Sequence, residues 1–238
     1  RDLRDLGVAK AGDRYLVHSG ERRFRADRVV VATGHYGKPM IPKFASELDP
    51  RIVQMHSSEY RNQSQLRPGG VLLVGAGNSG ADIAMELSRR HDTWLSGRDK
   101  GQVPVRIESP LRRLFVPILW FVASHVLTTR TPLGRKVRPH VLAEGAPRVR
   151  VKTADLKAAG VMTVPRTVGV EDGRPVLEDG RVLDVENVIW STGFHQDFSW
   201  IDVPVFDDDL QPLQTRGATS SPGLYFVGLD FLYSFASE

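Results

Sequence analysis

Cysteine is absent from the 238 residues. That excludes a disulfide scaffold, a thiolate-ligated zinc or iron–sulfur site, and a redox-active thiol pair. A bilayer-length apolar run is also missing. A span takes roughly 20 residues, and the most apolar stretch, 114–127, is shorter and contains Pro117. No charged-then-apolar signal segment opens the chain. It starts at Arg1 rather than Met, which reads as a piece cut from a longer protein. Lack of cysteine suits cytosol or periplasm, and a cytoplasmic location is the expectation. There is no low-complexity tract, and His56 has no second His or carboxylate at metal-ligand spacing, so no metal is expected. No Ser/His/Asp arrangement points to hydrolysis. Ser79 sits in a glycine turn without the nucleophile-elbow frame.

What is present is ordinary for a globular α/β chain, 41% hydrophobic and 25% charged with a formal net charge of +4. A mild positive balance suits anionic small ligands but is too diffuse to argue for nucleic acid. Arg130, Arg135, Lys136, Arg138, Arg148 and Arg150 come without interleaved aromatics and read as a solvated face, so no nucleic-acid partner is expected.

Arg14–Ser19 and Arg22–Arg25 flank a tight-turn candidate at Gly20-Glu21. Val29–Ala32 reads as a strand buried on both faces and stopped by Thr33-Gly34. Residues 44–70 hold Pro50, Pro68 and Gly69-Gly70 and read as a linker. Val71–Val74 is a buried strand, Gly75–Gly80 a turn, Ala81–Arg90 a helix and Thr93–Ser96 the next strand, in β–α–β order. Proline suits a first turn, so a helix is expected over Pro117–Leu127. It is either buried or packed over an active-site mouth, or else it is an interfacial membrane contact through 114–127. Thr153–Gly160 reads as a short helix with Thr153 as N-cap. Hairpin signals stand at Glu171-Asp172-Gly173 and Glu178-Asp179-Gly180. Val188–Trp190 repeats the buried-strand design and stops at Ser191-Thr192-Gly193, suggesting two similar subdomains, and Gly223–Gly228 is again a strand running into glycine.

The Gly75-x-Gly77-x-x-Gly80 turn carries a mechanism. The first glycine permits the tight turn, the second lets a pyrophosphate approach the backbone, and the third lets helix and strand pack closely. The helix N-terminus offers free N–H groups and partial positive charge. The competing reading is a strand-to-helix turn with no ligand. At the tip of the next strand an NAD site wants an acid. Here Ser96-Gly97-Arg98 stands instead, a hydroxyl and a guanidinium suited to a 2′-phosphate, which favours NADP(H). Asp99 would reverse that preference if it pointed inward. Thr33-Gly34 and Thr192-Gly193 read equally as interdomain hinges or as places where a cofactor approaches the backbone.

Three segments in this order resemble the class B flavoprotein monooxygenases, which include the flavin-containing monooxygenases and their bacterial relatives. They are Val29–Gly34 with Pro39 and Pro42, Val71–Arg98, and Val188–Phe194, while Gly223–Ser237 looks like the family's late FAD-contacting stretch. The resemblance implies a fold of two Rossmann-like, three-layer dinucleotide-binding domains. It assigns 1–43 and 194–238 to a partial FAD-binding domain, 44–70 to the linker and 71–193 to an NADPH-binding domain. It implies FAD and NADPH as cofactors, with a small-molecule substrate and molecular oxygen. One oxygen atom is then inserted through a flavin hydroperoxide, and the cofactors carry the chemistry.

By the same resemblance Gly75, Gly77, Asn78, Ser79 and Gly80 match the NADPH pyrophosphate turn, and Ser96 and Arg98 the 2′-phosphate readers. Thr33, Gly34, Thr192 and Gly193 match the linkers between the dinucleotide domains, and Gly228 lies in the late stretch. His56 and Tyr60 match the second half of the fingerprint F-x-G-x-x-x-H-x-x-x-(F/Y). Its first half departs, with Pro50 at the Phe position and Ile52 at the Gly position. Related reductases carry Gly-Asp where Gly228-Leu229 stands, with Asp230 one residue on. The family's opening GxGxxG turn for the FAD diphosphate has no counterpart before Arg14, so weak FAD binding and exposed apolar strands are expected. Residues 101–150 are expected to line or cover the substrate cavity, and no catalytic residue is assigned. Rival readings are a flavoprotein reductase or oxidase that never oxygenates a substrate and a module that only binds NADPH. A single-Rossmann dehydrogenase would not need the second strand-Thr-Gly stop.

Overall fold

The computed structural model describes residues 6–34, 36–99, 101–102, 112–144 and 147–237. In chain order the strands open with β1 (Leu6–Ala11), β2 (Arg14–Ser19), β3 (Arg22–Ala26), β4 (Val29–Val31) and β5 (Lys38–Pro39). Strands β6 (Val53–His56) and β7 (Val71–Val74), helix α1 (Asn78–Leu87) and strand β8 (Thr93–Ser96) follow. Helices α2 (Arg112–Phe121), α3 (Pro132–Glu144) and α4 (Thr153–Ala158) precede strands β9 (Met162–Val164), β10 (Thr167–Glu171), β11 (Arg174–Leu177) and β12 (Asn187–Trp190). The short strands β13 (Phe194–His195), β14 (Ile201–Asp202), β15 (Gln214–Thr215), β16 (Ala218–Thr219) and β17 (Leu224–Phe226) end the chain. These elements divide into two compact units. The first is Arg1–Lys38, Val116–Ala143 and His195–Glu238, and the second is Pro39–Phe115 and Glu144–Phe194.

The second unit is built on a five-stranded sheet in the order β6-β12-β7-β8-β9, parallel at every pairing. Parallel strands need both faces covered, and the alternation of side chains supplies two cores. Val71, Leu73, Leu95 and Ile189 pack with Ala81, Ala84 and Leu87 of α1 and Leu156 of α4. Leu72, Val74, Val188 and Trp190 point the other way, against Ala45, Leu48, Leu177 and Leu183. The expected α/β class and β–α–β order hold. The covering on the second face is a short 3-10 helix (Lys43–Glu47) and the β10–β11 hairpin rather than a layer of α-helices.

The first unit holds two small sheets. One runs β14-β1-β2-β3 and the other β15-β16-β17-β4, with β4 and β17 parallel. The Gly20-Glu21 turn joins β2 to β3, with Ser19 opposite Arg22. Tyr15, fully buried on β2, joins its hydroxyl to Ser221 Oγ at 2.7 Å and donates to the Pro222 carbonyl at 2.9 Å. This ties the strand to the loop that leads into β17.

Several expectations need correction. Residues 44–70 are not a bare linker, because Val53–His56 pairs with β12 as the sheet's edge strand. A four-residue strand flanked by Pro50 and the serines after it shows no periodicity to read. Val29–Val31 is not buried on both faces, since β4 is an edge strand and Val30 is 58% exposed. Helix α2 does not begin at Pro117. It begins at Arg112, carries Pro117 inside, and passes into a wider turn over Val122–Val126 that closes from the Leu127 N–H to the Val122 carbonyl at 2.9 Å. Nor is it buried, with Phe115, Ile118, Leu119 and Phe121 exposed and Trp120 63% exposed. Residues 103–111 of the expected cavity-lining stretch lie outside the described residues. Thr153 is the first residue of α4 rather than its cap, because Lys152 holds the cap position and its N–H is bonded by Asp155 at 3.0 Å. Strand β1, paired along its whole length with β2, was not foreseen.

Tyr15→Phe removes a buried hydroxyl whose partners stay in place. The expected cost is about 1–2 kcal/mol of unfolding free energy, read from the urea midpoint at unchanged slope.

Candidate functional site

Sheet register brings the second unit's motifs to one edge. His56, Trp190, Val74, Ser96 and Val164 are mutual neighbours across the five strands and end them together. The residues just beyond, Ser191-Thr192-Gly193, Gly75 and Gly97-Arg98, therefore line the carboxyl edge of the sheet. The chain leaves β7 toward β8 on one side and returns as β12 on the other, the switch point at which open α/β sheets bind ligands.

The three glycines of the turn differ in what surrounds them. Gly75 has φ +115°, and a Cβ there would lie 2.1 Å from the Ser191 carbonyl oxygen. A Cβ at Gly80 would lie 2.0 Å from the Gly75 carbonyl oxygen. Both are packed shut. A Cβ at Gly77 would meet no atom within 4 Å, so this backbone faces open space. Gly77 caps α1 without a side-chain bond, and the first turn of α1 carries no acid. The helix thus presents uncompensated N–H groups and partial positive charge on the side where Gly77 leaves room. That geometry makes a cradle of a kind suited to an anionic group.

The side chains expected at the cradle divide sharply. Ser79 is exposed in the first turn. Asn78 is spent inside the protein, accepting from Val149 N–H at 2.9 Å and donating to the Pro147 carbonyl at 3.3 Å. Ser96 is fully buried. Its hydroxyl donates to the Pro165 carbonyl at 2.8 Å and accepts from the Thr167 N–H at 2.8 Å, so it offers a ligand no exposed face. The expectation that Ser96 reads a phosphate is corrected on that ground. Arg98 is exposed, and among the described residues no acid pairs with it. Asp99, the residue whose direction mattered, is held by Arg148 at 3.0 Å. Arg148 itself is 3% exposed, so its place on a solvated basic face is also corrected. Sequence reasoning missed this pair. The separation of 49 positions between its members and the lack of any periodic signal around Arg148 hide it.

His56 is buried with both ring nitrogens used. A carbonyl can only accept, so Nε2 donates to the Gly193 carbonyl at 3.0 Å and Nδ1 accepts from Ser58 Oγ at 2.8 Å. The ring meets Phe194 edge-on at 4.8 Å. Burial lowers its pKa from 6.5, opposed by the Gly193 bond and the Glu59 carboxylate. Tyr60 donates to Glu86 Oε1 at 2.8 Å, tying the segment to α1. Burial, then that bond, raises its pKa. Gly193 has φ +86°, its carbonyl also accepts Met40 N–H at 2.9 Å, and the Thr192 hydroxyl donates to the Met40 carbonyl. The Thr192-Gly193 pair of the second stop is therefore a bonded joint, while the buried Ser191 hydroxyl beside it has no partner among the described residues. Thr33, Gly34 and Gly228 belong to the first unit. There Gly34 and Gly228 sit side by side beyond the parallel ends of β4 and β17, both at positive φ.

A model of the pyridine nucleotide-disulphide oxidoreductases matches residues 6–104. An uncharacterized CzcO-like oxidoreductase of Geobacillus kaustophilus is 36% identical over 96% of this chain and 64% of its own length. A probable indole-3-pyruvate monooxygenase of Arabidopsis thaliana is 27% identical over 84% of this chain and 52% of its own. Among solved structures, a flavin-containing monooxygenase from Stenotrophomonas maltophilia superposes with a TM-score of 0.66 at 22% identity. That likeness covers 95% of this chain and 63% of the other and bears on the fold alone. The chain thus spans about two-thirds of the length of the first of these relatives. No helix among the described residues is long and apolar enough to cross a membrane.

Because the His56 pKa is lower folded than unfolded, the unfolded chain binds the extra proton at acid pH. Its contribution to stability is complete above about pH 6.5 and is lost as pH falls through the folded value. Thermal midpoints between pH 8 and pH 5 should fall at the acid end, and His56→Gln should flatten that part of the curve.

Proposed function

We propose that this chain belongs to the class B flavoprotein monooxygenase-like family, as its likeness to the CzcO-like oxidoreductase and the indole-3-pyruvate monooxygenase supports, and that it binds NADPH on the carboxyl edge of its parallel sheet. The observation that carries the reading is the open backbone at Gly77 between two glycines packed shut, at the uncapped start of α1. The N–H groups of that turn would hold the diphosphate, and exposed Arg98 would meet the 2′-phosphate by charge-assisted bonds. Ser96 has no part in this. The nicotinamide, when bound, supplies a hydride.

The whole protein is proposed to be a flavin-dependent oxidoreductase of the monooxygenase type, acting on a small molecule with oxygen. Among the described residues of the first unit no strand runs through a glycine turn into a helix, so no step is assigned to a flavin here. The absence of cysteine sets the chain apart from disulfide-reducing relatives. A reductase or oxidase that does not oxygenate is the second reading, favoured by Pro50 and by Ile52, whose side chain packs into the core around Trp190. Hydrogen peroxide formed in step with NADPH consumption, without oxygenated product, would select it.

Calorimetric titration with NADPH and NADH, with FAD in parallel, tests the proposal. NADPH binding is expected, and binding of neither nucleotide overturns it. Gly77→Val should leave the thermal midpoint unchanged and abolish nucleotide binding. Gly80→Ala should instead destabilise the fold by about 2 kcal/mol or more. Arg98→Ala should weaken NADPH by about 1.5–3 kcal/mol while leaving NADH nearly unaffected. Equal weakening of both would remove Arg98 from the site.

A further inference from the structure

An acid one residue beyond Arg98 is poorly placed for a protein that must accept a phosphate there. Gly97 packs this loop against the glycine turn, where a Cβ would lie 2.9 Å from the Ala76 nitrogen. Asp99 therefore stands at the rim of the cradle. Its two oxygens are both engaged. Oδ1 accepts from Arg148 Nη2 at 3.0 Å and from the Gly101 N–H at 3.0 Å, and Oδ2 accepts from Thr153 Oγ1 at 3.3 Å. Arg148 in turn donates to Thr153 Oγ1 at 2.8 Å, while its Nε is buried with no partner among the described residues. A guanidinium buried to this degree with one nitrogen unbonded is costly, and a surface tether would not require it.

We propose that Arg148 is a positioning residue for nucleotide selection. By neutralising Asp99 and holding its carboxylate against Thr153, it leaves the Arg98 charge unopposed beside the nucleotide's 2′ position. The segment that carries Arg148 is registered on the cradle itself, because Asn78 bonds the residues on either side of it, Pro147 and Val149. Without Arg148 the freed carboxylate competes for Arg98, repels a 2′-phosphate and accepts a ribose 2′-hydroxyl. The preference then moves from NADPH toward NADH. The inference rests on the nucleotide reading above.

The test is titration of the wild-type chain and three variants with NADPH and NADH. Arg148→Gln is expected to weaken NADPH about tenfold with NADH unchanged or tighter, the scale of one charge-assisted hydrogen bond. Asp99→Asn in the same chain should restore NADPH binding, since the released side chain then carries no charge. Equal weakening of both nucleotides, or no rescue by Asp99→Asn, overturns the proposal and leaves the pair as a structural tether, with the NADPH reading intact. If the wild type binds neither nucleotide, the NADPH reading falls first and this inference with it. Should Arg148→Gln fail to fold, Thr153→Val loosens Asp99 without exposing a buried charge. It should lower the NADPH-to-NADH affinity ratio about threefold, a fraction of one such bond, and an unchanged ratio again overturns the proposal.

Discussion

The second unit depends on a contact that leaves no space, the passage of Gly75 under the Ser191 carbonyl. The turn after β7 and the turn after β12 share one volume, and only a residue without a Cβ and tolerant of positive φ lets both strands end at the same level. Because they do, the open Gly77 backbone, the Arg98 side chain and the Gly193 joint come to one edge. A side chain at Gly75 would push β12 from β7 and break the alignment of all five strand ends, not merely one turn.

That edge is notable for how little side-chain chemistry it leaves exposed. Asn78, Ser96, His56 and Thr192 all turn their polar atoms inward to carbonyls and N–H groups of neighbouring segments. What is exposed is backbone N–H at a helix start, Ser79 in its first turn and the Arg98 guanidinium. Such a surface suits a ligand recognised by its diphosphate and a terminal phosphate. It does not suit a substrate that needs an acid and a base, and this agrees with chemistry carried by cofactors. The inward side chains still serve the site, because each locks a loop whose backbone forms part of the edge. His56 does so through the Gly193 carbonyl, with the neutral ring as the form that satisfies both partners.

The two units differ in how completely they cover themselves. The parallel sheet has apolar cores on both faces. In the first unit, β4 is an edge strand and Val30, Tyr225 and Val227 are exposed, as is the apolar surface of α2. Val31, Leu224 and Phe226, on the opposite face of the same strands, are buried against Phe198 and Val205. One face of that small sheet is thus a finished core while the other remains apolar and open.

What the sequence determined by itself was local and short-range. The Val71–Ser96 unit, the strand at Val188–Trp190, the two-residue turns at Gly20-Glu21 and Asp172-Gly173, and the glycine spacing are all written in neighbouring residues. Apolar runs, glycine and turn chemistry act within a few positions along the chain. The tertiary structure alone decided which polar groups were free. Ser96 looked like a phosphate reader until Pro165 and Thr167 were brought to its hydroxyl from the next strand. Val53–His56 became a strand only because β12 offered it a ladder. Arg148 looked solvated until the chain returned to set it against Asp99. Pro117 marked a helix start by propensity, yet the helix ran through it, since losing one backbone donor does not end a helix that continues on both sides. Hydrogen-bond satisfaction of buried polar groups is settled by partners distant in sequence, so the glycine turn and the strand ends were legible along the chain and the free valences at their shared edge were not.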